Sequence, residues 1–156
     1  MDKQANAGHA GQYLTFRLGG EEYGVEILRV QEIKGFSTAT PIPNTPPHVL
    51  GVMNLRGTII PVLDLRARLG MPKADATAFS VIVVVRVSAR VVGVVVDAVS
   101  DVLDIPADDV QPAPELGASV DTRFIQGLAR TGDKLVLLLA LDAVFAADEV
   151  ALAMVS

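Results

Sequence analysis

The segment Gly51–Leu65 constrains this chain more than any other: it reads as a hairpin followed directly by a short helix. Val52, Ile59, Ile60, Val62 and Leu63 are β-favouring residues on either side of a turn at Arg56-Gly57. Pro61 has no N–H to give to a ladder, so its strand is expected at a sheet edge, or with that side turned outward. Asp64 is placed to accept from the free N–H groups of the next turn, and Leu65 to Leu69 read as a helix closed by Gly70. Arg56 stands out at the tip, with five fixed donors and a charge to place. Spacing alone is satisfied by bonds to nearby carbonyls or by solvent.

The same order of elements is written twice. Gly24 to Ile33 matches Gly93 to Val102 as glycine, strand, short helix, acidic residue and β-branched residue. Ile59 to Asp64 likewise matches Leu137 to Asp142. Two similar β lobes are expected, and many short strands with Gly and Pro turns favour small barrels over a helical bundle.

The other elements follow from local pattern. Residues 12–18 and 22–26 read as strands around a Gly19-Gly20 turn. Ile27, Val30 and Ile33 form a stripe at three-residue spacing, which predicts a short amphipathic helix, and residues 97–103 are expected to form another. Pro41, Pro43, Pro46 and Pro47 make residues 40–48 an extended connector. Val81 to Val85 are apolar without alternation, as in a strand buried on both faces. Ser88-Ala89 joins that strand to Arg90–Val96, and Thr131 to Asp133 turn a second late hairpin. Asp142 is expected to open a C-terminal helix over residues 143–154. Residues 1–11 read as a disordered tail, and residues 71–77 as the boundary between lobes at 12–74 and 75–156.

Composition excludes several function classes. The net charge of −5, with no run of basic residues, argues against a nucleic-acid partner. With no cysteine there is neither a disulfide nor a thiolate metal site, which suits a reducing cytoplasm. No apolar run approaches the length of a spanning helix, so no membrane insertion is expected. His9 and His48 have no serine or carboxylate at a catalytic spacing. Asp101, Asp104, Asp108 and Asp109 lack the calcium-loop pattern and read as a solvated face. Gly19-Gly20 is followed by Glu21-Glu22, which repels phosphate. No catalytic residue, cofactor or metal is expected; an interaction module remains. Hydrophobic residues at 51% beside aromatics at 4% fit either an exposed apolar partner site or strands buried on both faces.

Gly24 with the Val30–Ile33 stretch, the Asn-Leu-Arg-Gly of the Gly51–Leu65 block, and Arg90–Val102 together resemble CheW, the bacterial chemotaxis coupling family. The resemblance runs from Gln12 onward. It implies a mainly β fold of two small five-stranded SH3-like barrel lobes on a shared core, in a single domain over residues 12–156. It implies a non-enzymatic adaptor between chemoreceptor cytoplasmic tips and the regulatory domain of the histidine kinase CheA, in the cytoplasm at receptor arrays of the inner membrane. Carried over by motif, Val30, Glu32 and Ile33 are partner contacts, Gly51 and Arg56 lie in the family's most recognisable block, and Val81 and Gly93 line a receptor-facing groove. Arg56 then acts as an exposed anchor or fixes the loop that meets the receptor. The alternatives are a coupler for a non-flagellar pathway, or a small β-barrel enzyme or carrier with Arg56 and Asp64 facing a pocket.

Overall fold

The computed structural model describes residues 11–112 and 122–145. The strands are β1 (Gln12–Leu18), β2 (Glu21–Glu26), β3 (Val30–Gly35), β4 (Val49–Leu55), β5 (Thr58–Asp64), β6 (Val81–Val87), β7 (Arg90–Val96), β8 (Ala98–Asp104), β9 (Val110–Gln111), β10 (Ile125–Thr131) and β11 (Lys134–Leu139). Two four-residue helices follow β5 and β11: α1 (Leu65–Arg68) and α2 (Leu141–Val144). One sheet runs β8-β1-β2-β11-β10-β9 and the other β3-β6-β7-β5-β4. The expected pair of small β lobes is there, but the division at residues 74 and 75 does not separate their sheets. Each sheet takes strands from both halves, joined by the parallel pairs β2–β11 and β5–β7.

Local turn chemistry explains the hairpins. Gly19 and Gly20 both have positive φ, as do Arg56 and Gly57, so both tips are two-residue turns whose twist suits the strands they join. At the second tip the Asn54 side chain accepts from the Gly57 N–H at 2.7 Å. Asp64 caps α1 by accepting from the Arg66 N–H at 3.1 Å. Pro61 lies in an internal strand, not at an edge, because β5 sits between β7 and β4. The β5–β7 pairing covers Val62 to Asp64, so it begins just past the proline.

The two predicted amphipathic helices are strands. A 3₁₀ turn occupies only Ile27–Arg29, and β3 and β8 cover the rest. A β-bulge accounts for the misreading. Val30 pairs with Val85 and Ile33 with Val83, with a register shift between Val30 and Glu32, so residues three apart share one face. The repeat copies this: Val99 pairs with Phe16 and Val102 with Leu14 across another shift. A bulged strand thus imitates helical spacing. The second repeat match is displaced by two positions in space, since Gly93 pairs with Val62 and Gly24 with Leu138. Helix α2 accordingly starts from Ala140 as its cap, with Asp142 inside the first turn. The remainder of the expected C-terminal helix, and the tail apart from Gly11, lie outside the described residues. The Gly11 carbonyl accepts from the Ile105 N–H at 2.7 Å.

The core has three compartments, and the central strands supply two each. Along β6, Val83, Val85 and Val87 enter the core shared by the two sheets, while Ile82 and Val84 fill the interior of their own lobe. Along β11, Leu137 and Leu139 face the shared core, while Val136 and Leu138 fill the other lobe. At about 1.5–3 kcal/mol for each fully buried aliphatic side chain, burial on both faces explains the unbroken valine runs. Tyr23 is fully buried in the shared core, stacked on Phe16 with ring centroids 6.2 Å apart. Its hydroxyl finds no partner among the described residues, and burial pushes its pKa up to about 12.

Two arginine–aspartate clamps fasten the crossovers between lobes. Arg66 on α1 donates to both oxygens of Asp97, at 3.0 and 2.7 Å, and Asp97 also accepts from the Gly19 N–H at 3.0 Å. On the other crossover, Arg29 donates to both oxygens of Asp142 at 3.0 and 2.9 Å and to the Arg86 carbonyl at 3.1 Å. Asp142 in turn accepts from the Ser88 backbone N–H. Between the clamps the charges are exchanged: the arginine sits on the helix in one and on the crossover in the other.

The hydrogen bonds from Arg66 hold the Asp97 carboxyl below the usual range, against its own desolvation. A lowered folded-state pKa contributes stability above the ordinary carboxylate pKa and loses it as pH falls through the folded value. Arg66→Ala is therefore expected to cost about 1–2 kcal/mol at neutral pH. In urea melts the wild-type and variant curves should converge below the ordinary aspartate range; a constant gap would refute the assignment.

Candidate functional site

β3 is an outer strand, paired only with β6 in its sheet. Its bulge sets Val30 and Ile33 on the face that continues from the shared core. Val30 is half-buried against that core, whereas Ile33 keeps 43% of its surface. Val81 pairs with Gly35 on the same face and is also half-buried. Glu32 turns to the opposite face, beside Val84.

Arg56 reaches across from the β4–β5 tip and donates through Nη2 to Glu32 Oε2. The two lie 24 residues apart in sequence, so the turn and the outer strand are fastened by a non-local ion pair. Its arginine side chain is 70% exposed and its glutamate 25%. The guanidinium holds the Glu32 carboxyl below the usual glutamate range, chiefly through the hydrogen bond. Exposed at this level, the pair orients groups more than it stabilises the fold. Ile33 follows Glu32 in the strand, and Ile59 on β5 pairs with Asn54 near the tip and is 50% exposed. A fixed charge and a protruding aliphatic side chain on the two faces of one outer strand suit protein recognition, where hydrophobic contact gives energy and charge gives register.

The structure thus brings together Val30, Glu32, Ile33, Val81 and Arg56 on one lobe, and places Gly51 and Gly93 in the same sheet but buried. Both glycines are buried, so neither presents a surface. Gly51 has φ 147°, and a Cβ there would lie 2.1 Å from the Thr40 carbonyl oxygen. The connector crosses β4 at that point, with Thr40 and Val52 exchanging backbone hydrogen bonds at 2.9 Å. Gly93 faces the interior of its lobe, where a Cβ would meet Ile82 Cγ2 at 2.9 Å. Gly24, its counterpart in the repeat, would meet Leu138 Cδ2 at 3.0 Å. Sequence reasoning passed over Ile59 as a site residue, whose signal was an apolar residue next to a turn in a strand read as an edge.

Arg56 is not among the residues that line the cavity beside Asp64. Asp64 lines a cavity of about 190 Å³ with Arg66, Lys73, Asp97 and Phe36, smaller than the range typical of ligand sites. Among the described residues no group of three or more histidines and carboxylates is placed to hold a metal, and no helix is long and apolar enough to cross a membrane.

Residues 12–149 match the family model of the CheW-like domain. The chain belongs to the CheW-like family. It is 43% identical over 138 residues to the chemotaxis protein CheW of Rhizobium meliloti, covering 88% of this chain and 89% of that one. Against the chemotaxis protein CheW of Klebsiella aerogenes it is 41% identical, covering 90% and 85%. Protein FrzA of Myxococcus xanthus is 32% identical over 76% of this chain and 74% of its own. The crystal structure of the scaffolding protein TtCheW from Thermoanaerobacter tengcongensis superposes with a TM-score of 0.80 at 36% identity, covering 86% and 87%. The CheW-like fold is therefore shared, and the family is one of scaffolds and adaptors.

Two outcomes test this site. Gly51→Ala is expected to lower stability by more than about 2 kcal/mol, because a backbone carbonyl occupies the space and cannot swing aside; an unchanged melting temperature would contradict it. In an NMR titration of side-chain carboxyls, Glu32 should titrate below the usual glutamate range and return to it in Arg56→Ala.

Proposed function

We propose that this chain is a non-enzymatic adaptor that couples the cytoplasmic tips of chemoreceptors to the regulatory domain of the histidine kinase CheA. Membership of the CheW-like family supports the class of function. The observation that carries the reading to a surface is the Glu32–Arg56 pair and the exposed Ile33, on the two faces of one outer strand. Glu32 holds Arg56 in one direction while leaving most of the guanidinium open, so Arg56 both fixes the hairpin tip and offers its remaining donors to a partner. Val30 and Val81 support Ile33 from the core side. On this reading the protein works in the cytoplasm and is recruited to receptor arrays at the inner membrane, with no cofactor and no nucleic acid.

A second reading, coupling in a pathway that does not drive flagella, is favoured by the likeness to Protein FrzA, a relative not named for chemotaxis. The receptor fragment that binds best separates the two readings.

The test is an affinity measurement of the purified chain against a receptor signalling-tip fragment and a kinase regulatory domain. Wild type is expected to bind both. Arg56→Glu and Ile33→Asp are each expected to weaken at least one partner about tenfold, with circular dichroism and melting unchanged. Binding of neither fragment by wild type would overturn the adaptor reading. Undiminished binding by both variants would overturn the surface.

A further inference from the structure

β3 carries the candidate surface, yet its own residues do little to fix how it pairs. It is an outer strand held by β6 alone in its sheet, and none of its residues is buried. A strand with no buried face is weakly specified in register, and a slip of one residue turns every side chain to the other face. Gln31 is the extra residue of the bulge, set between Val30 opposite Val85 and Glu32 opposite Val84. Were the bulge lost, counting on from Val30 would set Glu32 opposite Val83 and Ile33 opposite Ile82. Glu32 would then turn to the shared-core face, away from Arg56, and Ile33 to the face that Glu32 now occupies.

Arg29 stands where such a slip has to be stopped. It ends the 3₁₀ turn and immediately precedes β3. Its guanidinium donates to the Arg86 carbonyl at 3.1 Å, one residue along β6 from the Val85 that faces Val30. The same group holds both oxygens of Asp142, which also accepts from the Ser88 N–H at the β6–β7 turn. The side chain therefore extends the β3–β6 ladder past its end pair and anchors it to α2, the helix that follows β11 of the other lobe.

The second lobe repeats the device with different chemistry. Ser100 is the extra residue of β8, and no residue of that strand is buried. Asp97 immediately precedes β8, and its N–H donates to the Arg17 carbonyl at 3.1 Å, Arg17 being the residue that faces Ala98. Its carboxylate is held by Arg66 on α1, the helix that follows β5 of the opposite lobe. Two bulged outer strands thus each begin at a residue clamped to a helix from across the shared core.

We propose that Arg29 is a positioning residue: by pinning Val30 opposite Val85 it keeps the bulge at Gln31, and so keeps Glu32 turned to Arg56 and Ile33 on the opposite face. The anchor of the pin lies on α2, so the second lobe helps to set the surface of the first. That this surface meets a partner rests on the adaptor reading above; the pin itself is a property of the free protein.

The experiment follows β3 by NMR in the full chain, in wild type, Arg29→Ala, Asp142→Asn and Arg66→Ala. Arg29→Ala is expected to weaken the cross-strand contacts of Glu32 with Val84 and of Ile33 with Val83. It should raise the Glu32 carboxyl toward the ordinary glutamate range as Arg56 is lost, and speed amide exchange in β3 on the order of tenfold. Asp142→Asn should move the same signals the same way, less far, and serves as the second variant should the alanine form melt early. Arg66→Ala breaks the sister clamp and lowers stability but leaves the start of β3 tied, so it should not move them. Unchanged Glu32 titration and β3 contacts in both Arg29→Ala and Asp142→Asn would overturn the proposal, as would an equal change in Arg66→Ala. If the register is lost in Arg29→Ala while both partner fragments bind as before, the pin stands and β3 leaves the adaptor surface.

Discussion

The strands at the middle of each sheet have no solvent side, and the rest of the molecule is arranged around that condition. β6 faces the shared core with Val83 and Val85 and its own lobe with Ile82 and Val84. A strand loaded on both faces must have a sheet neighbour at each edge and a packing layer above and below. The parallel pairs β2–β11 and β5–β7 supply neighbours from the far half of the chain. Gly24 and Gly93 are small because the lobe interiors leave no room there. The polar outer strands β3 and β8 fall where this loading ends, and each carries an exposed aliphatic residue, Ile33 and Val102.

How much of this was legible in the sequence depends on how local the cause is. Gly19-Gly20, Arg56-Gly57 and Asp64 announced their turns and cap because a few adjacent residues determine them. The bulged strands did not, since the bulge brings Val30 and Ile33 to one face and so copies the period of a helix. The lobe boundary was misplaced for a different reason. A proline- and alanine-bearing linker near residue 74 looks like a division, but sheet partnership is decided by pairings between halves that no local pattern encodes. At the site, Arg56 drew notice as a lone charge in an apolar hairpin, and Glu32 was reached through family resemblance. Their contact belongs to the fold and not to the spacing. Gly51 and Gly93 were marked by the same motif, and their importance is steric.

The clamps at the crossovers complete the mechanical picture. Arg66–Asp97 and Arg29–Asp142 each join a helix after one sheet to the crossover leading into or out of the other, and each aspartate also holds a hairpin turn. Arg68 adds a further tie, donating to the Val144 carbonyl at 2.6 Å with its guanidinium over the Phe124 ring. The lobes are thus joined by the core between them and by ties at the rim.

The interleaved sheets also set the order in which the protein comes into existence. When synthesis has reached the linker near residue 74, β1 and β2 have been made without β8 and β11, and β4 and β5 without β6 and β7. Both sheets are then open, with apolar strand faces uncovered, and loop closure across nearly the whole chain is still needed before β2 meets β11. The five-stranded sheet, β3 to β7, has all its strands once Val96 is made, whereas the six-stranded sheet waits for β11. The lobe that carries Glu32 and Arg56 can therefore close its sheet first, while its side of the shared core stays uncovered until Leu137 and Leu139 arrive.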